Sequence, residues 1–191
     1  NDWVLDPFCG CGTTLLESAH IGWNAIGIDL NPLGVLISEA KIAVLKIPPS
    51  ILETQTKIVE HSLEEVSRTL TYEKALSQGQ IEKLARSGLS DHIMTNSYLQ
   101  NWFNSSVLFQ LSAIIDKIEN LPSEEVRTIL KVILSDILRE VSLQDDGDLR
   151  IRRRKSPPEN MPVIPLFIAS LRSKIQTILR ARKFIPNAQT V

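Results

Sequence analysis

At 191 residues the chain has room for one domain, or one domain with a large insertion, and can bury a core without disulfide staples. Hydrophobic residues make up 43% and charged residues 23%. With no apolar run near 18 residues and no basic-then-apolar opening, neither a membrane span nor a secretory signal is expected. The net charge of -1 hides a split: 11 Lys+Arg face 21 Asp+Glu in residues 1–149, whereas 10 Lys+Arg face a single Glu in residues 150–191, which suits a polyanion-facing end on an acidic body.

Trp3-Val4-Leu5-Asp6, stopped by Pro7, reads as a buried strand. Pro7 to Gly12 is a turn with two glycines. A helix starts at Thr13, with Leu15, Leu16, Ala19 and Ile21 clustered, and ends at Gly22. Asn24 to Asp29 is a second buried strand. A strand, glycine loop, helix and strand within about 30 residues form the front of a doubly wound α/β unit. Residues 33–46 read as an apolar helix that Pro48-Pro49 breaks, with Ser50 as the next cap. Ile51, Leu52, Ile58, Val59, Leu63, Val66 and Leu70 then make one helical stripe.

A short helix is expected over 80–86, then a loop through Gly88 and Asp91. Val107 to Leu121 and Val126 to Val141 carry apolar residues at spacings of three and four. Pro122-Ser123-Glu124-Glu125 supplies a cap and an acidic first turn to the second of these, and the short link predicts an antiparallel pair. Asp145 to Asp148 is a loop, a basic stretch runs from Arg150 to Lys155, and a last helix covers Pro162 to about Arg182. The start at Asn1 and the strand-like Ala188-Gln189-Thr190-Val191 predict a piece cut inside a fold at both ends.

The chemistry concentrates in Asp6-Pro7-Phe8-Cys9-Gly10-Cys11-Gly12-Thr13-Thr14. Two glycines let the backbone turn tightly and approach a ligand. The helix from Thr13 aims its N-terminal amides at a carboxylate or phosphate. Asp29 closes the second strand 17 residues after Gly12, where a carboxylate can accept both hydroxyls of a ribose. The position three after Gly12 is Leu15, not the third glycine of a dinucleotide fingerprint, and the phosphate-cradling G-x-x-x-x-G-K-[ST] loop is absent. The residues read as a site for a nucleoside-bearing cofactor. Cys9 and Cys11 are too close to staple a fold and too few for a four-ligand zinc site; no metal and a reducing, cytoplasmic setting are expected. His20, His61 and His92 read as surface residues, and Trp102 and Phe103 as packing anchors.

The run D-P-F-C-G-C-G-T-T-L-L-E-S-A-H-I-G-W-N-A-I-G-I-D-L-N-P resembles the cofactor segment of the amino-group DNA methyltransferases, which make N4-methylcytosine or N6-methyladenine. The resemblance spans residues 3–34, about a sixth of the chain. It implies that Asp6, Phe8, Gly10 and Gly12 surround the methionine half of S-adenosylmethionine, that Asp29 binds the ribose, and that Leu30 packs beside the adenine. Cys11, where the family commonly has Ser or Thr, and Thr13 complete the cofactor-binding set.

The resemblance also implies a [DNS]-P-P-[YFW] catalytic loop. Ile47-Pro48-Pro49-Ser50 has the wrong residues on both sides, and Ser156-Pro157-Pro158-Glu159 begins correctly but has Glu where the ring is needed; both read as turns, so no catalytic residue is assigned. The expected architecture is a truncated Rossmann-like doubly wound sheet with a large, mainly helical insertion. Residues 1–46 are the front of the α/β unit, 47–183 the insertion, and 184–191 the start of the next strand. The implied function is part of a site-specific, restriction-modification type DNA methyltransferase, inactive alone and completed by a chain carrying the loop. The alternatives are an RNA guanine-N2 methyltransferase fragment and a non-catalytic helical subunit with a vestigial cofactor fold. Arg150, Arg152, Arg153 and Arg154 are candidate phosphate contacts on DNA, with Arg172, Lys174, Arg180, Arg182 and Lys183 as a second set.

Overall fold

The computed structural model describes residues 2–72, 88–145, 152–154 and 161–183. The helix expected over 80–86, most of the Asp145–Asp148 loop, Arg150, Lys155, the second Pro-Pro turn and the strand expected over 184–191 lie outside the described residues. Two compact units divide the chain. One comprises Asn1–Thr56, Leu121–Val132 and Arg172–Val191, the other Lys57–Asn120 and Ile133–Leu171.

The first unit opens with β1 (Trp3–Asp6), α1 (Thr13–His20) and β2 (Asn24–Gly27). The strands pair in parallel with Trp3 opposite Asn24 and Asp6 opposite Gly27. Bonds from Asn24 N to Asp2 O and from Ile28 N to Asp6 O lengthen the ladder at both ends. α1 packs on both strands and on α2. Gly22, at φ 75°, ends α1 by taking a left-handed turn that a side chain would resist.

Both strands were expected to be buried, and the structure corrects this. Trp3 is 67%, Leu5 63%, Ile26 50% and Ile28 55% exposed. The period-two alternation turns these four to one side, whereas Ala25 and Gly27 line a space shared with α1 and α2. Among the described residues the first side stays uncovered, because a two-stranded sheet has only the cover its own crossover helix gives it.

α2 (Pro32–Lys46) starts on Asn31, whose side chain accepts from Leu33 N at 3.0 Å. It stops where Ile47, extended at ψ 134°, precedes Pro48. α3 (Pro49–Tyr72) begins one residue before the expected Ser50 cap. The Pro48 carbonyl accepts from Ile51 N and Leu52 N, which leaves Ser50 inside the first turn. Leu52, Val59 and Leu63 are buried as expected, but Ile51 and Ile58 face solvent, and Gln55 and Thr56 take the inward positions. The Gln55 side-chain Oε1 accepts from Ser123 N at 3.3 Å, which gives this buried oxygen a partner.

In the second unit α4 (Gly88–Thr95) replaces the loop expected at Gly88 and Asp91, and α5 (Ser97–Trp102) was not anticipated. Asn96 caps α5 by accepting from Tyr98 N and Leu99 N. α6 (Ser105–Glu119), α7 (Glu124–Val141, of which the part up to Val132 belongs to the first unit) and α8 (Val163–Arg182, which belongs to the first unit from Arg172) follow the apolar spacing closely. Val107, Leu108, Ile114, Ile118, Ile137, Ile164 and Phe167 are all buried. Ser123 caps α7 by accepting from Val126 N at 3.2 Å and donates to Glu125 at 2.7 Å. Gln110, on α6, accepts from Ile164 N and donates to Met161 O, fixing the entry to α8. Phe167 has no exposed surface. Phe167→Ala is expected to lower unfolding stability by about 3–5 kcal/mol, checked by urea denaturation followed by circular dichroism.

Candidate cofactor site

The loop after β1 is shaped by three local bonds. The Asp6 carboxylate accepts from Phe8 N at 3.1 Å, Cys9 N donates to Ile28 O at 3.0 Å, and Gly12 N donates to Cys9 O at 2.7 Å. Gly10 (φ 52°) and Gly12 (φ 76°) both take the left-handed conformation, so this turn requires glycine twice. A Cβ on Gly10 would meet nothing within 4 Å, whereas one on Gly12 would strike the Ser38 side chain at 2.5 Å. One glycine thus borders open space and the other seats the loop on α2. The first intrahelical bond of α1 runs from Leu16 N to Gly12 O. The amides of Thr13, Thr14 and Leu15 therefore precede the helical ladder, as donors for an anionic group.

Asp29 joins the two strands' ends. Its Oδ2 accepts from Gly10 N at 2.7 Å and its Oδ1 from Asn31 N at 2.8 Å. These amides, Asn31 first and Gly10 second, hold the Asp29 carboxyl below the usual carboxylate range. Each oxygen has a second lone pair, so the carboxylate can still accept from a hydroxyl. Phe8 is 85% and Leu30 100% exposed, apolar side chains on the segments that flank the loop and Asp29. Cys11 and Thr13 are exposed as well. The structure thus brings Gly10 onto Asp29 directly, with Cys11, Gly12 and Thr13 on the same turn. The open side of Gly10, the unladdered amides and the carboxylate suit the adenosyl-methionine type of ligand expected from the sequence.

Three residues of α2 that the sequence reading passed over also meet this loop. Ser38 Oγ lies 3.1 Å from Gly10 O, a Cβ on Gly34 would come within 2.9 Å of the same carbonyl, and Lys41 Nζ donates to Cys11 O at 2.7 Å. Their spacing of four and then three on a helix that follows the ribose-type acid was the available signal. Lys41 also lies 3.5 Å from Cys11 Sγ and lowers the thiol's pKa, by hydrogen bond first and by charge second.

A cavity of about 460 Å³ lies on the α1–α2 side of the sheet, with Cys9, Leu15, Ala25 and Gly27 in its wall and Glu39, Glu124, Glu125 and Lys46 around it. None of the eight expected cofactor residues lines it, and its acidic surround opposes an anionic tail.

Of the candidate DNA contacts, Arg152, Arg153 and Arg154 belong to the second unit. Arg152 and Arg153 are exposed. Arg154 directs Nε to Gln144 O at 2.6 Å and is half-buried, a structural contact that leaves less of it for phosphate. In the second set, Arg182 donates to Leu45 O and to Ile47 O and so satisfies the last carbonyls of α2. His20 and His61 lie beside Glu17 and Glu65 on exposed helix faces. Pro48-Pro49 is the α2–α3 junction. Cys9 is buried and Cys11 exposed, both free, and among the described residues no cluster could hold a metal ion.

Because the folded-state value of Asp29 is depressed, its tie to the loop is complete above the ordinary aspartate value of about 3.9. It is lost as pH falls through the lower, folded-state value. The Gly10 and Asn31 amide proton shifts are expected to titrate together with a midpoint below that of a free aspartate. An NMR pH series measures this, and a midpoint at or above the free value would remove the double hydrogen bond.

Residues 1–39 match the family model described as DNA methylase. The chain is 25% identical over 94% of its length to the Type II methyltransferase M.MjaII of Methanocaldococcus jannaschii, covering 42% of that protein. It is 27% identical over 84% of its length to the Type II methyltransferase M.MvaI of Kocuria varians, covering 32% of it. A short stretch, 16% of the chain, is 57% identical to the Type II methyltransferase M.MthZI of Methanothermobacter thermautotrophicus and covers 8% of that protein. The chain thus spans less than half the length of these relatives. No solved structure matches. Its glycine-loop segment thus matches the DNA methylase model, and the chain as a whole is similar to the Type II methyltransferases.

Proposed function

We propose that this chain is the cofactor-loop and helical part of a site-specific DNA methyltransferase that moves a methyl group from S-adenosylmethionine to an exocyclic amine of adenine or cytosine. The observation that carries this reading is the 2.7 Å bond between Gly10 N and Asp29, within a segment matched to the DNA methylase family. That bond holds a carboxylate suited to ribose hydroxyls against a loop that has open space beside Gly10. The description of the matched family model, DNA methylase, favours DNA over the RNA guanine-N2 alternative. The same likeness favours a cofactor-binding role over a purely helical subunit.

In this reading the methyl donor supplies an electrophilic sulfonium-bound methyl group. The chain's own residues bind and orient it. Asp29 accepts from the ribose hydroxyls, and the amides of Thr13, Thr14 and Leu15 face the carboxylate tail. Phe8 lies beside the methionine half and shields it from water, and Leu30 packs beside the adenine. Fixing the donor in one pose contributes to the rate by removing its orientational freedom. Beyond the two strands, the sheet is of the Rossmann-like, doubly wound type, with the long helical stretch inserted before its next strand. The Pro-Pro-aromatic loop that holds the target amine is carried elsewhere in the whole protein. Arg152 and Arg153 give sequence-independent affinity for the DNA backbone.

Equilibrium dialysis with labelled S-adenosylmethionine tests the cofactor assignment. Asp29→Ala is expected to weaken binding about tenfold or more, the order of one or two hydrogen bonds to a charged group. Affinity unchanged in a folded variant would overturn the ribose assignment. For DNA, Arg152→Ala combined with Arg153→Ala is expected to flatten the dependence of log affinity on log salt by about one for each phosphate that is no longer neutralised. An unchanged slope in a salt series would remove these residues from the interface.

A further inference from the structure

α2 touches all three residues of the glycine turn from a single stripe. Gly34, Ser38 and Lys41 are spaced four and three apart, which places them on one face of the helix. Gly34 lets the helix axis come close to Gly10 O, a contact that a Cβ would close to 2.9 Å. Ser38 is buried, and its hydroxyl lies 3.0 Å from Gly34 O and 3.1 Å from Gly10 O. Lys41 sits at the far end of the stripe, with its ammonium 2.7 Å from Cys11 O, at the tip of the turn.

The contacts divide the turn into two halves. Asp29 holds Gly10 by its amide, on the side of the turn where the cofactor reading puts the ribose. Lys41 holds the Cys11–Gly12 peptide, through the Cys11 carbonyl. The next amides along are those of Thr13, Thr14 and Leu15, which lie ahead of the first intrahelical bond. A charge-assisted bond to Cys11 O fixes where those donors point. It also adds a positive charge beside them, which favours an anionic tail over a neutral one.

We propose that Lys41 is a positioning residue for the amino-acid tail of the methyl donor, holding the tip of the glycine turn through Cys11 O while Asp29 independently holds the nucleoside half. This rests on the cofactor reading above and assigns the two halves of one ligand to two different anchors. Its consequence is a split in affinity. Loss of Lys41 penalises ligands that carry the amino-acid tail and spares those that lack it. Gly34 and Ser38 act only in seating the turn, so a change at either penalises both ligands.

The probes are S-adenosylhomocysteine, which has the tail, and 5′-methylthioadenosine, which does not, each titrated calorimetrically into the full 191-residue chain. Lys41→Met and Lys41→Gln are expected to weaken S-adenosylhomocysteine about three- to tenfold, as for one partly exposed charge-assisted bond. Methylthioadenosine binding should stay within a factor of two (about 0.4 kcal/mol). Lys41→Arg, which keeps the charge and a donor, is expected to recover most of the loss. Equal weakening of both ligands, or no weakening of either, would overturn the role of Lys41 and leave the cofactor reading intact. If the unaltered chain binds neither ligand, the cofactor reading fails and this inference fails with it.

Discussion

The carboxylate of Asp29, bound at once to the amides of Gly10 and Asn31, is the constraint on which the rest of the front unit depends. It closes the gap between the end of β2 and a loop 19 residues earlier in the chain. The bond lets β1 and β2 present their ends together. It also sets the starting angle of α2, since Asn31 caps that helix by accepting from Leu33 N. One side chain thus decides the shape of the loop, the direction of the following helix and the position of the acid suited to a ribose on that rim.

The glycines divide the remaining work by geometry. Gly12 is needed because Ser38 occupies the space a Cβ would take, and Gly27 because Leu15 and Cys9 occupy it there. Gly10 is needed for its left-handed backbone alone, since the space beside it is open. The first two are packing requirements, satisfied inside the protein. The third borders open space, which separates it from the glycines that seat helices.

Much of this was legible in the sequence. The strand–loop–helix–strand order, Gly10, Gly12 and Asp29 came from residue type and spacing. The stripes of α6, α7 and α8 came from their apolar periodicity. α4 and α5 were missed because each is a turn or two long, too short for a period to show, although Asn96 stood in a cap position. The sheet's exposure was misjudged because an apolar run announces a strand without saying how many neighbours cover it. Gly34, Ser38 and Lys41 were passed over because their partners are backbone carbonyls, which a residue-type pattern does not display. Arg154 and Arg182 were grouped with the basic surface by charge, yet both give hydrogen bonds to main-chain carbonyls. A guanidinium near a helix end serves that purpose as readily as it serves a phosphate.

The uncovered side of β1 and β2 has a practical consequence. Trp3, Leu5, Ile26 and Ile28 form a continuous oily strip on a sheet that, among the described residues, has no third strand at either edge. Such a strip is poorly hydrated, and precipitants excluded from protein surfaces, such as sulfate, strengthen its tendency to be covered. Purified by itself, the chain should therefore self-associate as its concentration rises, and salt out early. Mild detergent would keep it dispersed better than would a change in its overall charge.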